Sequence, residues 1–255
     1  MEKIIGAKNV KLLKKGAKKD GDDYGIELDL SNMNLTADDC KLLAPAIEKI
    51  EDGEGCRKLD LSFNQIGDDG CKNLESVLRH QKGLHTRFKQ INLHSNKITA
   101  EGCKYIAIPE MEVGTLNMSD NNIGDKGVER IVKNGEKEDF EFSGDWQIGR
   151  TGLELILNNV GMTDNGFKWL KIDNYVFDDC SDAIGVEVAN NKLTDKSKDV
   201  LLLLNKGDCG AIPINISGNQ FSKEVVKEVL RDWWQSNEMF ETRDHFKCDY
   251  KFEDS

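Results

Sequence analysis

Apolar residues in this chain recur in two rhythms that alternate along its length. In LDLSFNQIGDDGC (59–71), Leu59 and Leu61 stand two apart. From Ile66 onward the apolar positions fall farther apart, with Cys71, Leu74, Val77 and Leu78 at helical spacing. A spacing of two places both side chains on one face of a strand, whereas a spacing of three or four places them on one face of a helix. The same change of rhythm recurs in LDLSNMNLTADDC (28–40), INLHSNKITAEGC (91–103) and LNMSDNNIGDKGV (116–128). Seven strand pairs follow: Leu28/Leu30, Leu59/Leu61, Ile91/Leu93, Leu116/Met118, Leu155/Leu157, Val186/Val188 and Ile214/Ile216. Each unit is thus expected to run strand, turn, short helix.

After each strand comes a position that holds Asn64, Asn96, Asn121, Asn191 and Asn219, with Met33 and Val160 in the other two units. Two residues on, an apolar residue returns: Leu35, Ile66, Ile98, Ile123, Met162, Leu193 and Phe221. Thr36, Thr99, Thr163, Thr194 and Ser222 then stand where a helix N-cap belongs, with Asp or Glu following in most units. A hydroxyl there accepts an orphan amide, and a carboxylate suits the positive end of the helix. The Asn positions lie 31, 32, 25, 39, 31 and 28 residues apart when Met33 and Val160 are counted among them. A unit of about thirty residues is too small to bury its own apolar face, so units must stack and share a core. In such a stack the chain turns inward just after the strand, and a buried amide side chain can serve backbone groups that have lost their ladder partners.

With these residues the chain resembles the leucine-rich repeat family, and the unit length and helices are similar to its ribonuclease-inhibitor-like class. The G/D-C-K context of Cys40, Cys71 and Cys103 is part of the resemblance, which covers about 25–235. It implies an α/β solenoid of about 7–8 repeats, with a curved parallel sheet on the concave side and helices on the convex side. The organisation read from the sequence is a basic N-terminal cap (1–24), leucine-rich repeats (25–221), and a C-terminal capping helix with an acidic tail (222–255).

The pattern breaks in EKEDFEFSGDWQIGRTG (136–152). It is either a degenerate repeat or, as the close match of LELILNNVGMTDNGF to LDLSNMNLTADDC favours, an inserted strand or hairpin. Trp146 and Arg150 would then be either loop residues presented to a partner or, for the aromatic, core filler. Residues 172–184 are too polar for a regular helix. The open ends of a solenoid need covers. Ile4, Ile5, Val10, Leu12 and Leu13 can form a helix over the first strand, or a basic partner- or membrane-surface helix. At the other end a helix capped by Ser222 carries Trp233, Trp234, Met239 and Phe240 over the last layer.

Charge changes the functional picture. The net formal charge is -11, and residues 1–19 carry seven Lys against Glu2, so the remainder is strongly acidic. A basic footprint of the kind nucleic acid requires is missing, and basic protein partners are favoured. No apolar run reaches the ~18–20 residues of a transmembrane helix, and the N-terminus does not read as a signal peptide. Seven cysteines without a C-x-x-C pair suit a reducing cytosol. Cys40, Cys71 and Cys103 recur at one position and read as core residues. The sequence carries no metal-ligand spacing, no phosphate loop and no nucleophile motif, and Asp20, Asp22 and Gly25 lack the final Glu of a calcium loop. The expectation is no catalytic residue, no metal and no cofactor.

A surface remains. Strand positions that alternate with the buried ones face the concave side: Asp29, Asp60, Asn92, Asn117, Ile156, Glu187 and Asn215 in one row, and Ser31, Ser62, His94, Ser119, Asn158, Ala189 and Ser217 in the next. Phe63, Ser95 and Asp120 lie beside them. The function expected is a non-enzymatic scaffold, monomeric and cytoplasmic, that binds a basic protein partner on this face. Two rival readings are a small-GTPase activator, for which Arg150 is the loop arginine to test, and a bacterial effector delivered into a host cytosol, with Asn237 to Ser255 as the delivery signal.

Overall fold

A computed structural model describes residues 17–19, 26–50, 56–78, 88–106, 113–133, 154–170, 185–204, 214–236 and 246–250. Nine strands form one sheet in chain order: β1 (Ala17–Lys19), β2 (Ile26–Asp29), β3 (Cys56–Asp60), β4 (Gln90–Asn92), β5 (Thr115–Asn117), β6 (Glu154–Ile156), β7 (Gly185–Glu187), β8 (Ile214–Asn215) and β9 (Phe246–Lys247). Strands β2 to β9 run parallel, and β1 alone is antiparallel to its neighbour. The fold is therefore the α/β solenoid that the alternating rhythm predicts. The helices are α1 (Ala37–Ile50), α2 (Gly67–Asn73), α3 (Glu75–Leu78), α4 (Gly124–Lys133), α5 (Asp164–Phe167), α6 (Lys198–Leu204) and α7 (Lys223–Ser236). Single 3₁₀ turns stand at Gly102–Tyr105, Lys168–Leu170 and Asp195–Ser197. The turn at Lys168–Leu170 continues α5 and the one at Asp195–Ser197 leads into α6, whereas in the unit of β4 the turn Gly102–Tyr105 is the helical element among the described residues.

The core is a set of straight columns. Leu28, Leu59, Ile91, Leu116, Leu155, Val186, Ile214 and Phe246 are paired in register across the sheet, and all are buried. Leu35, Ile66, Ile98, Ile123, Met162, Leu193 and Phe221 form a second buried column behind the turn. Cys40, Cys71 and Cys103 stand in a third, fully enclosed. Burial pushes the Cys40 and Cys103 thiols up to about 12, with a nearby Asp adding to the effect in each case. Cys71 is raised as well, by burial and by its two neighbouring thiols. These are packing residues rather than reactive ones.

The Asn column is a hydrogen-bonded ladder. Asn121 Oδ1 accepts from the amides of Asn96 (3.0 Å) and Ile98 (2.9 Å) in the preceding unit, and its Nδ2 donates to the carbonyls of Leu93, Met118 and Ser119. Asn64 and Asn191 do the same for Met33/Leu35 and Val160/Met162. Asn219 serves Leu193. Through Oδ1, Asn64, Asn121, Asn191 and Asn219 thus serve the turn before them, while Nδ2 also ties down carbonyls of their own unit. Asn96 reaches the preceding unit through Nδ2 alone, to Leu61 O (2.8 Å), and its buried Oδ1 has no partner among the described residues. The Oδ1 contacts explain why Met33 and Val160 are tolerated: the turns that hold them are still satisfied, by the next unit's Asn. What Val160 lacks is a rung back to the unit of Asn121. There Asn158 N donates to Ser119 Oγ (3.2 Å) and Asn159 Nδ2 to Asp120 Oδ1 (2.7 Å).

A second ladder runs along the helix starts. Asp68 accepts from the Thr99 amide and hydroxyl and from Gly102 N. Asp125 accepts from Thr163 N and Oγ1, both at 2.6 Å. Asp164 accepts from Thr194 N and Oγ1 and from Ser197 Oγ. Asp195 accepts from Ser222 N. The cap hydroxyls also work locally: Thr99, Thr163, Thr194 and Ser222 accept from amides two or three residues on. The carboxylates come so close that the facing residue must be small. A Cβ on Gly102 would stand 2.6 Å from Asp68 Oδ1, and one on Gly166 would stand 2.5 Å from Asp125 Oδ1.

The ends differ from the repeats. At the front, Ala17↔Leu28 and Lys19↔Ile26 pair antiparallel, which covers one sheet edge. The helix expected over 4–13 lies outside the described residues, as do Met239 and Phe240. At the back, the tail past α7 contributes a strand that the sequence reading did not anticipate. Phe246 pairs with Ile214, Asp249 Oδ2 accepts from Gly218 N (2.7 Å), and Tyr250 Oη donates to Phe221 O (2.7 Å).

Candidate functional site: the concave strand face

Alternation along each strand puts one set of side chains in the core and the other outside it. The outer set is in register: Asp29↔Asp60, Asp60↔Asn92, Asn92↔Asn117, Asn117↔Ile156, Ile156↔Glu187 and Glu187↔Asn215. The structure therefore brings this row together across seven strands, and Lys247 of β9 extends it. A further outward row, two residues earlier, was not singled out from sequence: Glu27, Lys58, Gln90, Thr115 and Glu154. The same period of two that gives the other rows identifies it. Within it Lys58 Nζ is paired with Glu27 Oε1.

Most of the acid and amide side chains in the first row also have a structural task. Asp29 and Asp60 each accept, through Oδ1, from the amide and hydroxyl of the Ser two residues on. Asn92, Asn117 and Asn215 accept from the amides of His94, Ser119 and Ser217. A short side-chain acceptor at this position ends the strand and starts the turn. Glu187 instead accepts from Asn158 Nδ2 (3.0 Å), and Asn158 Oδ1 accepts from Ala189 N.

At the rim of this face the chain adopts a left-handed conformation in every unit. Asn32, Phe63, Ser95, Asp120, Asn159 and Asn190 have φ between 51° and 56°, and Gly218 has φ 70°. Side chains of this rim meet across units. Phe63 is 56% exposed, and its ring lies 4.6 Å from that of His94, edge to face at 80°. His94 Nε2 stands 3.2 Å from Ser95 Oγ and 3.3 Å from Asp120 Oδ2. Asp120 Oδ1 takes the bond from Asn159. Phe63, His94, Asp120 and Asn159 thus form a continuous line over four consecutive units. Trp146 and Arg150 lie outside the described residues. Asn64, Asn96, Asn121 and Asn191 are buried and belong to the ladder, not to the surface.

Among the described residues no helix is long and apolar enough to cross a membrane. The family model for "Leucine Rich repeat" matches residues 57–74, 88–107 and 115–132, which take in β3 from its second residue, β4 and β5 with their turns. The human protein "NACHT, LRR and PYD domains-containing protein 13" is 30% identical over 107 residues, which is 41% of this chain. The chain spans 10% of that relative's length. The strand–turn–helix unit, the columnar core, the Asn ladder and these matches agree: the chain is a leucine-rich repeat protein.

Proposed function

We propose that this solenoid is a non-enzymatic scaffold that takes a basic segment of a partner protein along its concave strand face. The observation that carries the reading is the in-register outward row, in which Asp29, Asp60 and Glu187 sit among amide side chains. Rows of carboxylates on one face attract and orient a positive partner. Leucine-rich repeats are in general a protein-interaction scaffold, which supports the coarser part of the proposal.

The test uses the turn chemistry of the row. Asp29→Asn and Asp60→Asn remove charge but keep the Oδ1 acceptor that closes each turn. With Glu187→Gln they form a triple variant that should fold normally. Captured from a lysate on the immobilised wild-type chain and identified by mass spectrometry, a partner should bind the triple variant about threefold or more weakly, since each surface charge contributes about 0.2–1 kcal/mol. The loss should shrink as salt is raised. Equal binding by both proteins at low salt would refute the concave-face assignment.

A further inference from the structure

Phe63 is out of character with its position. The equivalent residue is Asn, Ser, Asp or Gly in every other unit, because those residues tolerate a left-handed backbone. A bulky residue at φ 56° is disfavoured. Burial does not offset that cost, since Phe63 is 56% exposed whereas Phe88 and Phe167 are fully enclosed. Its ring is nevertheless held in place, edge to face against His94, which is itself fixed by Ser95 and Asp120. The result is a positioned aromatic surface on a mostly polar face. Asp60 stands on its own strand, and Asp120 lies beyond His94.

We propose that Phe63, backed by His94, is the anchor at which this face takes an arginine or lysine side chain of an extended basic segment. This rests on the reading of the concave face as a site for a basic partner. The ring's negative π-face attracts a cation, and the flanking carboxylates supply the complementary charge. Among cations, the planar guanidinium fits best, because it stacks on a ring while its N–H groups reach a carboxylate.

Binding of fluorescein-labelled (Arg-Gly)4 is measured by anisotropy at low salt, with (Gln-Gly)4 as the uncharged control. The variants are Phe63→Leu, which keeps bulk and strain but has no ring, Phe63→Asn, which relieves the strain, and Asp29→Asn/Asp60→Asn. The wild type should bind (Arg-Gly)4 and ignore the control. Both Phe63 variants should bind about two- to fivefold more weakly, with Phe63→Asn melting no lower than wild type. If (Arg-Gly)4 binds and the Asp variant weakens it while both Phe63 variants bind like wild type, the anchor is overturned and the acidic-face reading stands. If the wild type ignores (Arg-Gly)4, or binds the control equally, both are overturned. Self-association of the wild type in sedimentation that is lost on Phe63→Leu would assign the ring to a second copy of the chain and overturn the proposal.

Discussion

At the residue scale, an amide side chain and a missing Cβ decide how one unit meets the next. Among the described residues, Asn121 Oδ1 is the acceptor for the buried amides of both Asn96 and Ile98. Asn121→Ala leaves both unpaired, at about 1–3 kcal/mol for each group. The urea midpoint should fall by an amount equivalent to about 2–6 kcal/mol, and Asn121→Asp should fall at least as far, because it keeps the Oδ1 acceptor but turns a buried carboxylate oxygen toward the carbonyls of Leu93, Met118 and Ser119. Gly166→Ala should cost about 1–3 kcal/mol for a different reason: the new methyl would stand 2.8 Å from Asp125 Cα, a backbone atom that cannot swing away. Thermal melts of Gly166→Ala and of the control Gly161→Ala separate the two glycine roles. Gly161 has φ 77° with only Asn122 Oδ1 nearby, so its cost is conformational alone. The Asn role was legible in sequence because one residue type recurred where a turn strands backbone groups. The Asp–Gly pairing was not, because the carboxylate and the glycine it faces lie over thirty residues apart, and each alone reads as ordinary helix-start chemistry.

At the element scale, the helix starts carry the pH dependence. Burial pushes the Asp164 carboxyl up. The bonds from Ser197 Oγ and from the Thr194 amide and hydroxyl, with the charge of Lys196, outweigh this and leave it below its ordinary 3.8. A carboxylate depressed in the folded state contributes stability that is fully present above its unfolded pKa and is lost as pH falls through the folded one. The gap in stability between wild type and Asp164→Asn should therefore be constant near neutrality and close below about pH 4, as read by urea melts along a pH series. A gap independent of pH would mean that Asp164 acts through shape alone. The tail carries its own expectation. Tyr250→Phe removes the bond to Phe221 O, at about 1 kcal/mol, and deleting 246–255 uncovers Ile214 and Ile216 and should cost more. Removal of 237–255 thus takes away a strand, so it cannot serve as a clean test of a delivery signal. Strand β9 escaped the sequence reading because Phe246 and Cys248 are one short apolar pair, followed by neither a ladder Asn nor a helix.

At the scale of the whole molecule, the repeat spacing dictates the order of the strands. Neighbours in sequence became neighbours in the sheet because no unit can close its core except on the next one. The concave rows followed from the period of two, and the structure brings them into register. What the rows do was harder to read. A polar residue at a strand end looks like a binding residue, yet Asp29, Asp60, Asn92, Asn117 and Asn215 all close turns. Only geometry separates that task from partner recognition, and it leaves the half-exposed ring of Phe63, packed on His94, outside the turn-closing set.

The central claim is that units hold together through amide rungs reaching back to the preceding turn. Native-state hydrogen exchange, followed by NMR in wild type and Asn121→Ala, tests it most directly. The account predicts that the amides of Asn96 and Ile98, some twenty-five residues away in sequence, lose protection before those of Ile123 and Val128 in the mutated unit. Loss confined to residues beside position 121, with Asn96 and Ile98 as protected as in wild type, would contradict it.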